Sequence, residues 1–205
     1  MAVLTLQGTG VTDTFIDSSG PTTNSSTNIT LPIGESNVAT QVIRTVVKFD
    51  LSSVPTGSVI DSAVMTLYMS AFADESDNAR VVSVYRILQG VDITQCTWNS
   101  YKTGSVWATA GCGNTTSDRE DVNISDGPTQ PATSVENTAL VFNLTPAKVK
   151  EITDGTFTNN GFLLKVATEN NDLVNYKSTE HTDTIYRPKL VVTYHAASSG
   201  FFAFL

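Results

Sequence analysis

The sequence predicts an all-β domain, an antiparallel sandwich or barrel with one short helix. Three observations carry this. The composition of the 205-residue chain leans to Thr, Val, Ser and Asn and is poor in Lys, Glu, Leu and Ala; β-branched side chains suit a pleated surface and are mediocre in helices. Period-two alternation is clean in Val42–Asp50: Ile43, Thr45, Val47 and Phe49 share one face, and Arg44, Val46, Lys48 and Asp50 the other. Short apolar runs are separated by turn residues, and a single stretch has helical character. The strand–helix alternation of a parallel sheet is missing, and no internal repeat is found.

Element by element, short strands are expected at Val3–Gln7, Asp13–Ile16 and Asn28–Ile33, ahead of Val42–Asp50. Leu51–Gly57 breaks the alternation with Ser, Pro, Thr and Gly. A long strand follows over Val59–Phe72, with Ala63, Met65, Leu67 and Met69 on one face and Val64, Thr66, Tyr68 and Ser70 on the other. The acidic loop Asp74–Asn78 separates it from a strand at Arg80–Ile87, and Gly111–Val135 reads as a polar surface excursion. Thr138–Leu144 is a strand. Thr145–Ile152 is the helix, with Thr145 placed to cap it and Pro146 in the first turn, where proline is tolerated. Gly161–Thr168, Leu173–Thr179 and Pro188–His195 complete a single domain over residues 1–195; residues 196–205 form a small-residue linker and an apolar tail.

Charge and composition exclude several classes. A net charge of −8 with no Lys/Arg cluster repels phosphate backbones, so no nucleic-acid partner is expected. The opening MAVLTLQGTG lacks a basic region and a long apolar run, so it does not read as a signal peptide, and cytoplasmic synthesis is expected. No segment reaches the roughly 20 apolar residues of a membrane span. Cys96 and Cys112 flank a stretch holding Trp98, Tyr101, Gly104 and Trp107 that can double back; a bridge and two free thiols both remain open.

Signals for catalysis are weak. The histidines, His181 and His195, sit in polar or strand-end settings expected to be solvent-exposed, and no nucleophile elbow or phosphate-cradling loop is present. The acid groups Asp74/Glu75/Asp77, Asp118/Glu120/Asp121 and Glu169/Asp172 fall in loops or at strand ends, where carboxylates are ordinarily solvated, so no enzyme is expected. No cofactor is firmly indicated, although Asp13 and Asp17, or the Asp74–Asn78 loop, offer oxygen ligands for a calcium ion. Trp98, Tyr101 and Trp107 are the first candidates for stacking on a sugar ring, with packing in a core as the alternative.

Several segments together resemble the DNRLRE, or disaggregatase-related, domain family. They are Asp13-Thr14-Phe15-Ile16; Arg44 through Phe49-Asp50-Leu51-Ser52-Ser53-Val54-Pro55 with Gly57, Ile60–Ala63 and Thr66-Leu67-Tyr68; Val84-Tyr85-Arg86 with Thr97-Trp98-Asn99, Gly104 and Trp107; and Gly161–Lys165, Tyr176–Glu180 and Arg187–Tyr194. The resemblance spans roughly residues 11 to 195. It implies a jelly-roll-like sandwich similar to carbohydrate-binding modules. Some members bind polysaccharide, many are appendages of secreted or surface proteins, and similar free-standing domains occur among phage structural proteins. Its motifs are mostly explicable by folding, with Arg44, Glu180 and Arg187 expected in structural ion pairs.

The cysteine pair and the tail depart from that family pattern. Exposing Phe201, Phe202, Phe204 and Leu205 costs roughly 25 cal/mol per Å² of apolar surface, so the tail is expected to be held, either by its own domain or by docking onto a partner. The leading expectation is a non-enzymatic virion structural protein, a capsid decoration or appendage subunit of a phage-like particle, contacting other virion proteins or copies of itself. The alternative is a polysaccharide-binding or adhesion module on an extracellular surface.

Overall fold

A computed structural model describes residues 1–36, 41–72, 79–131, 134–170 and 173–197. Alternating strands become two facing sheets in which every named pairing is antiparallel. The first sheet holds β1 (Ala2–Gln7), β13 (Lys189–Ala196), β5 (Ser58–Phe72) and β10 (Ala139–Leu144), in that order. The second holds β2 (Val11–Asp17), β4 (Val42–Phe49), β11 (Phe162–Val166), β6 (Arg80–Arg86) and β9 (Thr129–Gln130). The far part of β5 turns away to pair with β12 (Val174–Lys177), which pairs with β3 (Thr30–Glu35), which meets the start of β4. This closes one side between the sheets, as the jelly-roll expectation requires.

The inward residues are those the alternation selected. Ala63, Met65, Leu67 and Met69 of β5 meet Val47, Phe49, Phe162, Leu164, Val82 and Val84 of the opposing sheet in one buried cluster. A one-residue slip of β4 would put Arg44 and Lys48 inside, so burial fixes the register. Helix α1 (Pro146–Thr153) lies over one end of this cluster, with Val149 and Ile152 facing down. Pro146 opens it as expected, but Thr145, at the capping position, makes no side-chain bond there. Asp154, at the other end, accepts the Gly57 N–H at 2.9 Å and so ties the helix to the turn between β4 and β5.

The chain between β6 and β9 holds most of the expected polar excursion of Gly111–Val135, but its new layer starts well ahead of it and does not stay at the surface. It starts at Ile87 and folds back over the outer face of the second sheet as a third layer. There Ile87, Val91, Ile93, Cys96, Trp107 and Cys112 bury the outward residues Ile16, Val46 and Leu163 in a second apolar cluster. Within it, β7 (Ser100–Lys102) and β8 (Ser105–Val106) form a hairpin turning on Gly104 at φ +75°. Farther along, Ile124 drops into the main core. Polar composition hid this layer, because much of its polarity is spent on its own backbone: Asp118, fully buried, accepts the N–H groups of Ala108, Thr109 and Asn114 at 2.8–3.0 Å.

Candidate functional site

The three aromatic candidates come together in the third layer with different roles. Trp107 is only 4% exposed and its indole N–H donates to the Thr97 carbonyl at 3.0 Å, so it is a core residue and not a sugar platform. Tyr101 packs against it with ring centroids 5.5 Å apart and stays half-buried. Trp98 is also half-buried, with the Arg44 guanidinium 5.1 Å from its ring centre. Beneath Trp98 runs Gly111 at φ +77°; a Cβ there would lie 2.6 Å from the ring, so only glycine fits.

Arg44 is the pivot of this end. Its Nε and Nη2 grip Glu169 in two-point geometry at 2.7 and 2.9 Å, and Nη1 donates to the Gly111 carbonyl at 2.6 Å. Burial, the largest single influence on Glu169, favours its neutral form, yet Arg44 and Lys165 outweigh it and hold the carboxyl below its usual range. Arg44 is thus ion-paired as expected, although its partner is Glu169. Arg187 donates instead to the His181 carbonyl at 2.9 Å, and Glu180 accepts from Thr179 Oγ1 at 2.9 Å.

Asp13 and Asp17 share one face of β2 four residues apart, which places them roughly 13 Å from one another at the rise of a strand. They therefore do not converge on one ion. Asp17 is occupied by Ser19 and Gln41. Asp13 is 2% exposed and accepts the Thr179 N–H at 2.9 Å. Burial first, and then the neighbouring Glu180 carboxylate, push its carboxyl up to about 7. Among the described residues no group of three or more His, Cys, Asp or Glu is arranged to hold a metal. The Asp74–Asn78 loop, with Asp74, Glu75 and Asp77, lies outside the described residues, as does Asp172.

Of the remaining acids, Glu120 joins Glu151 around Arg86, which is 1% exposed at the helix-covered end of the core. Arg86 sits 3.7 Å from the Phe157 ring centre and donates to the Lys148 carbonyl at 3.0 Å. The Arg86 hydrogen bond holds the Glu120 carboxyl below its usual range. His195 is exposed and bonds Asp61 at 2.9 Å; His181 is half-buried and its Nδ1 accepts the Asp183 N–H at 3.1 Å, so only one of the two histidines is as open as expected.

A cleft of about 360 Å³ opens where the hairpin meets the loop after β2. Thr22, Asn24, Thr94, Gln95, Thr97, Ser100 and Thr103 line it, every one polar and uncharged. Asn24 fixes the two walls together, donating to the carbonyls of Ile93 and Cys96 at 2.8 Å. Residue type alone gave no sign of it, since Thr, Ser and Asn are common throughout the chain.

The model of the disaggregatase related repeat domain matches residues 13–192. The chain belongs to this family. No curated protein matches it. The family match to this repeat domain takes in most of both sheets, helix α1 and the whole third layer, so the aromatic hairpin, Arg44 and the neutral cleft all fall inside it. Strand β1 and the end of β13 fall outside it and pair with each other, Ala2 with Tyr194. The expected docking residues Phe201, Phe202, Phe204 and Leu205 lie outside the described residues. No described helix is long and apolar enough to cross a membrane.

Proposed function

We propose that this repeat domain is a non-enzymatic attachment domain, a virion structural subunit that decorates a phage-like particle and is held through its chain ends. The observation that carries the reading is the placement of those ends. Pairing of β1 with β13 brings Met1 and Ala2 beside Tyr194–Ala197, where they line a shared cleft with the Pro55–Ser58 turn. The aromatic hairpin lies at the opposite end of β4: the Pro55–Ser58 turn follows the last residues of β4, while Arg44, near its start, contacts Trp98. A domain tethered at one end in this way presents the other outward. The conversion of Glu120, Glu151 and Glu169 into ion-pair partners supports a structural use of its acids.

The test is deletion of residues 200–205, followed by circular dichroism and a particle-incorporation assay. Loss of incorporation with an intact β spectrum supports the reading. Normal incorporation of the deleted form refutes attachment through the tail.

The neutral cleft favours a second reading, carbohydrate binding at the outward end. Uncharged hydroxyl and amide groups line the cleft and suit the hydroxyl rim of a pyranose. On this reading the tail-deleted protein still binds an immobilised polysaccharide panel, and Thr22→Val with Thr103→Val abolishes that binding. Unchanged binding by this double variant removes the cleft as the site.

A further inference from the structure

Cys96 and Cys112 have no part in the attachment reading. Both are free thiols and both are fully buried, in the same small apolar cluster beneath the third layer. The backbone sets them beside each other. The Gly111 N–H donates to the Trp98 carbonyl at 2.6 Å, so the segment entering Cys112 runs against the segment leaving Cys96. Asn24 holds the Cys96 carbonyl from one side, and Asp118, which fastens Ala108, Thr109 and Asn114, fixes the loop around Cys112 from the other.

Cys112 also has a backbone that its side chain does not favour. Its φ is +59°, one of two positive values among the described non-glycine residues, the other being Asn137. Asparagine tolerates that region through its short amide; cysteine has no such compensation. The Cys112 thiol rests 3.7 Å from the Asp118 carbonyl, in the same buried cluster as Cys96 and on a segment hydrogen-bonded to the one that leaves Cys96.

We propose that Cys96 and Cys112 form an intramolecular disulfide that staples the third layer, and that it closes during folding and not afterwards. Burial pushes the Cys96 thiol up to about 12, and the Cys112 thiol is raised for the same reason, so neither supplies thiolate to an external oxidant once the layer is packed. In the open chain both thiols are ordinary. There, a low-molecular-weight disulfide such as oxidised glutathione is attacked by one cysteine thiolate, giving a mixed disulfide and one glutathione thiolate. The second cysteine then displaces the second glutathione. One protein S–S bond forms, two S–H bonds are lost, and the protons and electrons end on two molecules of reduced glutathione.

The experiment uses the full chain, unfolded and reduced, then refolded in a glutathione redox buffer. The product is denatured, treated with iodoacetamide and weighed intact. The expected result is a mass lower by two hydrogens with no alkylation, and a non-reducing peptide map joining the Cys96 and Cys112 peptides. Oxidised protein should also unfold at higher urea than the same protein after reduction, and Cys96→Ala/Cys112→Ala should show no such difference. Two alkylated cysteines, or glutathione retained on either of them after oxidative refolding, overturns the proposal.

Discussion

Replacing Asp13 by asparagine should stabilise the protein increasingly as pH rises from about 4 to about 7, and leave it almost unchanged only below about pH 4. Asp13 is 2% exposed and shares its surroundings with the Glu180 carboxylate. Its carboxyl titrates at about 7 in the fold, against an ordinary value of 3.8. Between those values the folded state holds a proton that the unfolded chain has released, so stability falls as pH rises through this window and is level outside it. Each tenfold change in proton affinity is worth about 1.4 kcal/mol, which makes the full loss on the order of 4 kcal/mol. Asparagine keeps the oxygen that accepts the Thr179 N–H and gains a donor toward Glu180, while removing the titration. Urea unfolding of both proteins across the range from about pH 4 to pH 8.5 measures the effect. The difference between variant and parent should be small near pH 4, grow up to about pH 7, and level off above it with the variant more stable by a few kcal/mol. A difference that does not change with pH would refute the assignment of the buried proton to Asp13.

Other perturbations probe the packing. Arg86→Met removes the buried cation that Glu120 and Glu151 share and leaves Lys148, 3.6 Å from each, as their counter-charge, so a loss of roughly 2–4 kcal/mol is expected in urea unfolding; under about 1 kcal/mol would show the network to be dispensable. Gly111→Ala forces a Cβ to 2.6 Å from the Trp98 ring at φ +77°. It should cost on the order of 1–3 kcal/mol and shift tryptophan fluorescence, whereas an unchanged spectrum would mean that Trp98 does not rest on this glycine. Trp107→Ala empties the second cluster and should destabilise by about 3–5 kcal/mol, with faster proteolysis inside residues 88–119 than in the sheets.

Much of the architecture is already written in the chain. The alternation in Val42–Asp50 and Val59–Phe72 selected the inward residues, and Pro146 with the run after it marked the helix, because strand and helix periods are local properties. Local pattern also found Trp98, Tyr101 and Trp107 as a group. It did not separate their roles: Trp107 is core because the outer face of the second sheet needs covering, which depends on residues far away in sequence such as Ile16, Val46 and Leu163. Only the tertiary structure decided the partners of the charges. Arg44 chose Glu169, and Arg86 gathered Glu120 and Glu151, because strand register and helix placement bring those carboxylates within bonding distance. The neutral cleft and the buried Asp13–Glu180 pair arise in the same way, from segments joined only in space. Sequence fixes which face of each strand seeks cover, since that is set by side chains two residues apart. What provides the cover, and which polar groups are trapped beneath it, is settled by long-range packing.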